Sequence, residues 1–409
     1  MAKKTHRWTF KSHFRAKAYS WKSSSLASKR LREAVSEIKK VKRTDPILAV
    51  EGCVDLIERL WPALEAIDTS SGMLGNAVYR TLNEIIPIIV AAPADLPTRQ
   101  KWCDRLYQAI LDDGVDYLSP VADRWGNICH FDELVNTWVD RMLPLLREVW
   151  ANESHGWVDG CTLCFSCLVR AERYDELEQL LSLKSHRFWC FDQYWANALI
   201  QQGDLDGAIA FAESQLEGRH NNDAARIEEF CERVLLSAGR SEEAYQKYGL
   251  SVSRAGTNLA TYRNVIKKYP ERDPRRVLLD LIEHSGSKGK WFAAAKSVGF
   301  LDLAIECAAD MTAEPATLIR AARDFVIDNP DFAMQVAFHS LGHLLAGRGY
   351  ETSTADVMQA YGHLMTAAAS ANNIGRAQEM LESLLEKRKS QPSPMWHALQ
   401  SLHQRGSRE

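Results

Sequence analysis

The sequence predicts an all-α fold, a right-handed α-solenoid of helical hairpins with a basic N-terminal helical arm. Three observations lead there. Apolar residues recur at three- and four-residue spacing almost throughout, the alternation expected of strands is almost absent, and from about residue 158 the chain becomes self-similar.

The chain has 409 residues, 46% apolar and 25% charged, with 13 Pro and 22 Gly, so it can bury a core and is not a disordered polymer. No apolar run reaches the roughly 18 residues of a membrane span, and the N-terminus lacks the apolar stretch of a secretory signal. A cytoplasmic protein is therefore expected. Nine cysteines, an odd number scattered over a long chain, fit reduced core thiols better than a disulfide framework.

Charge is unevenly placed. Residues 1–44 hold 14 Lys and Arg against only Glu33 and Glu37, although the whole chain has a formal net charge of −3. In this arm Lys3, Lys4, Arg7, Lys11, Arg15, Lys17 and Lys22 are interleaved with Trp8, Phe10, Phe14, Tyr19 and Trp21. Cations neutralise phosphates and aromatic rings stack on bases, so Lys3, Lys4, Arg7, Trp8, Lys11, Arg15, Lys17, Trp21 and Lys22 are the candidate binding residues. If helical, Phe10, Phe14, Ala18 and Trp21 share a face that must be covered, and the aromatics then dock on the body as a cap while the lysines stay solvated.

Next comes an amphipathic helix whose stripe is Ala27, Leu31, Ala34, Val35, Ile38 and Val41, with Lys29, Arg30, Arg32, Lys39, Lys40 and Lys42 at the other positions. Asp45-Pro46 is an N-cap with proline at the first helical position. The stripe Ile47, Val50, Val54, Ile57, Trp61 and Leu64 follows it, as far as the turn Thr69-Ser70-Ser71-Gly72. Further helices are predicted near 73–91, 98–112 and 131–151, with a linker at Ala92 to Pro97 and a loop at Trp125-Gly126-Asn127.

Beyond residue 158, Gly203-Asp204-Leu205-Asp206-Gly207-Ala208 matches Gly239-Arg240-Ser241-Glu242-Glu243-Ala244 and Gly299-Phe300-Leu301-Asp302-Leu303-Ala304. Weaker copies start at Glu172 and Asn372. Marker positions 177, 208, 244, 304 and 377 are thus separated by 31, 36, 60 and 73 residues, and the two long gaps suggest unmarked repeats on a period in the low thirties. The glycine ends one helix and the small marker lets the next approach closely. This pattern resembles the tetratricopeptide-like helical-hairpin repeat over roughly residues 158–390. It departs from that family at Ala196 and Glu232, where glycine is favoured. The resemblance implies stacked hairpins presenting an extended surface to a protein or peptide. Residues 391–409 form a C-terminal tail that either caps the stack or hangs free.

Candidate chemistry is sparse. Cys161, Cys164 and Cys167 have metal-ligand spacing, with Cys190 or His155 as a fourth ligand, but lie in an apolar helical run that favours core packing. His339 and His343 share a helical face without the glutamate of a metalloprotease helix. Gly286-Ser287-Lys288-Gly289-Lys290 has the composition of a phosphate loop but not its spacing, and is expected to be a flexible basic turn. No catalytic constellation, metal or cofactor is predicted. The expected function is non-enzymatic binding or scaffolding through the helical surface. Nucleic acid on residues 1–44 is the first alternative, and an enzyme within residues 45–157 the second.

Overall fold

The computed structural model describes residues 6–152, 158–184, 188–216 and 221–406. Of the described residues 74% are helical and none lies in a strand. It divides into two compact units, Met1–Ile227 and Glu228–Glu409.

The first unit contains α1 (Ser24–Lys42), α2 (Pro46–Leu64), α3 (Met73–Val90), α4 (Leu96–Leu111), the short α5 (Ser119–Ala122) and α6 (Trp125–Cys129), and α7 (Asp132–Asn152). It continues with α8 (Cys161–Arg170), α9 (Tyr174–Ser182), α10 (Trp189–Gln201) and α11 (Leu205–Ser214). The division between units falls within α12 (Asn221–Ser237). One apolar core runs from Trp8 to Ala198, straight through the change of pattern expected near residue 158.

Helix starts follow their caps. Asp45 accepts from the Leu48 N–H at 2.9 Å with Pro46 as the first helical residue, and Asp95 accepts from Thr98 at 3.0 Å. The α3–α4 connection is held by Arg99, which is 1% exposed. It donates to the carbonyls of Ile89 (3.3 Å), Val90 (3.0 Å) and Ala92 (2.5 Å) at the end of α3, and to Ile128 (2.9 Å). A guanidinium is thereby set on the negative end of a helix whose last carbonyls lack helical partners. The loop expected at Trp125-Gly126-Asn127 is instead helix α6. Trp125 is fully buried, and the Gly126 N–H donates to Ser166 Oγ at 3.1 Å. A Cβ at residue 126 would lie 2.6 Å from the Ser166 carbonyl oxygen, so the glycine is what permits this approach.

The second unit contains α13 (Ser241–Ala244), a π-helical turn (Tyr245–Gly249), α14 (Leu250–Val252), α15 (Asn258–Lys268) and α16 (Pro274–Ser285). Then follow α17 (Phe292–Ser297), α18 (Leu301–Ala309), α19 (Pro315–Phe325), α20 (Pro330–Leu345), α21 (Thr354–Ser370), α22 (Ile374–Arg388) and α23 (Pro394–Gly406). A separate apolar cluster joins α19 to α23. The C-terminal segment packs against α21 and α22, and the Trp396 indole donates to the Leu385 carbonyl at 2.9 Å.

All five marked turns share one geometry. Glu172, Gly203, Gly239, Gly299 and Asn372 have φ of 57°, 85°, 74°, 88° and 51°. In each turn the next residue donates back to the carbonyl five positions earlier: Arg173 to Leu168, Asp204 to Leu199, Arg240 to Leu235, Phe300 to Ala295, and Asn373 to Ala368. This is the Schellman closure, which needs a left-handed residue and so favours glycine or asparagine. The markers that follow, Leu177, Ala208, Ala244, Ala304 and Ala377, are all 0% exposed. Within the 60- and 73-residue gaps lie two further helix pairs, α15 with α16 and α19 with α20. Their second helices start at the Asp273-Pro274 and Asn329-Pro330 caps, without a Schellman turn.

Candidate functional site

The arm is helical only from Ser24. Before it, residues 7–23 form an irregular segment with a single 3-10 turn at Phe10–Ser12, which corrects the expected helical face through Phe14 and Trp21. The irregular path lets successive aromatics reach separate sockets. Trp8, Phe10, Phe14 and Tyr19 are buried, at 4%, 2%, 1% and 7% exposure. Gly52 of α2 makes the space for Trp8, since a Cβ there would lie 2.4 Å from the indole. Polar contacts fix the rest. Glu37 accepts from the backbone N–H of Thr9 at 2.9 Å and of Phe10 at 3.3 Å, the Lys17 N–H donates to the Pro62 carbonyl at 2.8 Å, and the Asp68 N–H donates to Trp21 O at 2.9 Å.

The proposed arm residues are therefore dispersed. Trp8 belongs to the core, and Lys11 pairs with Asp55 at 2.5 Å, beside the Arg105 cluster with Glu51, Asp55 and Glu58. Arg7, Arg15, Lys17 and Lys22 are exposed and form no ion pair among the described residues. Trp21 is 63% exposed. Lys3 and Lys4 lie outside the described residues. We expect Trp8→Phe to cost about 1–2 kcal/mol in urea denaturation, through the gap left over Gly52. Arg15→Ala should change stability by under about 0.5 kcal/mol. Equal effects of the two substitutions would contradict the docked arrangement.

The cations that do converge are those of α1. Its apolar stripe, Ala27, Leu31, Ala34, Val35 and Ile38, is spent against α2 and α3. At about 100° per residue, Lys29, Arg32, Ser36, Lys39, Lys40 and Arg43 fall within an arc of about 100° on the outer side, and all six are exposed. Arg32, Lys39, Lys40 and Arg43 line an open groove of about 590 Å³ with Val35, Ser36 and Glu84. Glu84 holds Lys39 at 2.5 Å, while Arg32, Lys40 and Arg43 form no ion pair among the described residues. The sequence shows most of these cations, but its interleaved aromatics point to the preceding arm instead. The deciding signal was the match of cation spacing to the helical period.

Three carboxylates elsewhere are held by tyrosine hydroxyls. Asp123 accepts from the Tyr194 hydroxyl at 2.8 Å, Asp280 from Tyr245 at 2.7 Å, and Glu232 from Tyr269 at 2.6 Å. Partial desolvation, reinforced by the carboxylates of Asp113, Asp123 and Asp159, pushes Asp116 up to about 6. Cys161, Cys164 and Cys167 are buried in α8, and burial pushes the first two up to about 12, so they remain thiols at neutral pH. No cysteine forms a disulfide, and among the described residues no group of three His, Cys, Asp or Glu is placed to hold a metal ion. His155 lies outside the described residues. The expected flexible turn at residues 286–290 is anchored instead. The Gly289 N–H donates to Asp310 at 3.1 Å and Thr312 at 3.0 Å, and Lys288 pairs with Glu306 at 2.7 Å.

His343 is 2% exposed, and its Nε2 donates to the Ala308 carbonyl at 2.7 Å. Burial, with His343 nearby, pushes His339 down from 6.5 to about 4. Its neutral form is thus favoured by folding. The stability this contributes is present above pH 6.5 and is lost as the pH falls towards 4, because the unfolded chain takes up the proton first. We expect stability to decline over that window by up to about 1.4 kcal/mol per pH unit, and His339→Gln to flatten the slope. An unchanged slope in urea titrations of that variant would refute the assignment.

The chain matches no known protein-family model, and no curated protein is similar to it.

Proposed function

We propose that this chain is a non-enzymatic binding protein of tetratricopeptide-like architecture, which engages an anionic macromolecule on the outer face of α1. The observation that carries the reading is the convergence of Arg32, Lys39, Lys40 and Arg43 on one groove, three of them without an ion-pair partner among the described residues. Solvated cations held on a rigid helix attract an anionic partner from a distance and meet it without reorganising. The hairpin assignment is supported by the five Schellman turns and their buried markers. The non-enzymatic reading is supported by the hydroxyl–carboxylate pairs Tyr194–Asp123, Tyr245–Asp280 and Tyr269–Glu232, in each of which the carboxylate already accepts from a tyrosine. A reducing, cytoplasmic setting suits nine cysteines that form no disulfide, eight of them buried.

The test is differential capture. Wild-type protein and a variant with Arg32, Lys39, Lys40 and Arg43 all changed to Gln are incubated with native lysate. Bound proteins and nucleic acids are then identified. The variant should lose the partners that the wild type retains while keeping its circular dichroism spectrum. Identical sets from the two proteins would overturn the proposal.

A further inference from the structure

We infer that the anionic partner is a single-stranded nucleic acid, with phosphates along the α1 stripe and a base stacked on Trp21. This rests on the reading of α1 as the binding face. The stripe from Lys29 to Arg43 rises about 21 Å along the helix axis. That length suits a linear polyanion rather than a single phosphate. At its N-terminal end, three residues before α1 begins, Trp21 stands 63% exposed and makes no ring contact among the described residues. Its backbone is nevertheless fixed, because its carbonyl accepts from Asp68 at 2.9 Å and Ser24 Oγ donates to the Asp68 carbonyl at 3.1 Å. An exposed indole on a fixed backbone, with Lys22 next in the chain and the α1 cations beyond, provides the pairing that binds single strands: a ring for a base and charges for the backbone. A duplex would offer only its phosphates, its bases being already stacked.

The same helix argues against two other anionic partners. A membrane-surface helix needs an apolar face to insert, and that of α1 is buried in the core. A helical acidic peptide needs apolar anchors at helical spacing, whereas the groove is lined by four cations, Ser36, Glu84 and the buried Val35.

The full chain is titrated against fluorescein-labelled oligouridylate, a DNA duplex of equal length, and vesicles of phosphatidylcholine with phosphatidylserine. Anisotropy should report oligouridylate binding at low salt, with log K falling against log salt at a slope of about −3, from four neutralised phosphates at about −0.7 each. The quadruple Gln variant should bind about tenfold more weakly or worse, with a shallower slope. Trp21→Ala should lose about tenfold for oligouridylate but not for the duplex, leave the salt slope unchanged, and be largely rescued by Trp21→Phe. The absence of oligouridylate binding, vesicle binding in its place, or equal binding by wild type and Trp21→Ala would each overturn the inference. If oligouridylate fails while charge-dependent capture from lysate persists, this inference falls and the proposed function stands.

Discussion

Replacing Arg99 by methionine is expected to destabilise the first unit by about 3–5 kcal/mol. Arg99 is 1% exposed and has no carboxylate partner; its two terminal nitrogens donate to four backbone carbonyls, those of Ile89, Val90, Ala92 and Ile128, while its Nε–H is buried without a partner. Burial pushes the guanidinium below its ordinary value, but its intrinsic basicity keeps it charged. Methionine would fill much of the volume but strip the Val90 and Ile128 carbonyls of their donor, while those of Ile89 and Ala92 keep the N–H groups of Ala92 at 3.4 Å and Ala94 at 2.9 Å. Each buried unsatisfied group costs about 1–3 kcal/mol, less whatever water entry and relaxation recover. Arg99→Lys, with three donors on a shorter reach, should fall between the two. Urea denaturation followed by the helical signal measures all three proteins, and a loss below about 1 kcal/mol for methionine would show that the α3 terminus does not depend on this side chain.

Little of this was visible in the sequence, for a physical reason. Helix class and most boundaries follow from local spacing and caps: Asp45, Asp95 and the 73–90 stripe act within a few residues of themselves. Repeat markers are equally local, because a left-handed residue followed five positions later by a buried small one is a property of a single turn. The hairpins that went unread, α15 with α16 and α19 with α20, use Asp-Pro and Asn-Pro caps, which do the same work with different residues. Trp125 to Asn127 was read as a loop because Gly and Asn favour turns locally. Contacts with α8, 40 residues further on, override that preference.

The candidate site was half legible. Composition located the positive charge within residues 1–44 but could not divide it between a docked segment and an open face. That division depends on which aromatics find sockets, and the socket for Trp8 is made by Gly52 in the next helix. Charge alone ranks Lys11 with Arg32. Only the fold sets Lys11 against Asp55 and leaves Arg32 in the groove.

Glu232 is expected to be the corresponding weak point of the second unit, with Glu232→Ala costing about 3–5 kcal/mol. Its side chain is 3% exposed, accepting from Lys268 Nζ at 2.7 Å and the Tyr269 hydroxyl at 2.6 Å. Tyr269 is itself fully buried, and burial together with the Glu232 carboxylate pushes its phenol up, so it remains a donor at every accessible pH. Alanine would strand that hydroxyl in a dry site and open a cavity beside it. Lys268, whose side chain is 33% exposed, can turn to water, so the cost falls mainly on the Tyr269 side. Two further variants separate the contributions. Glu232→Gln keeps an acceptor for Tyr269 and loses only the ionic contact, so it should cost clearly less than alanine. Adding Tyr269→Phe to Glu232→Ala removes the stranded hydroxyl, and a double-mutant cycle should show a coupling of about 1–3 kcal/mol. Additive losses in that cycle would mean that the two groups do not support one another, and that Glu232 is held by Lys268 alone.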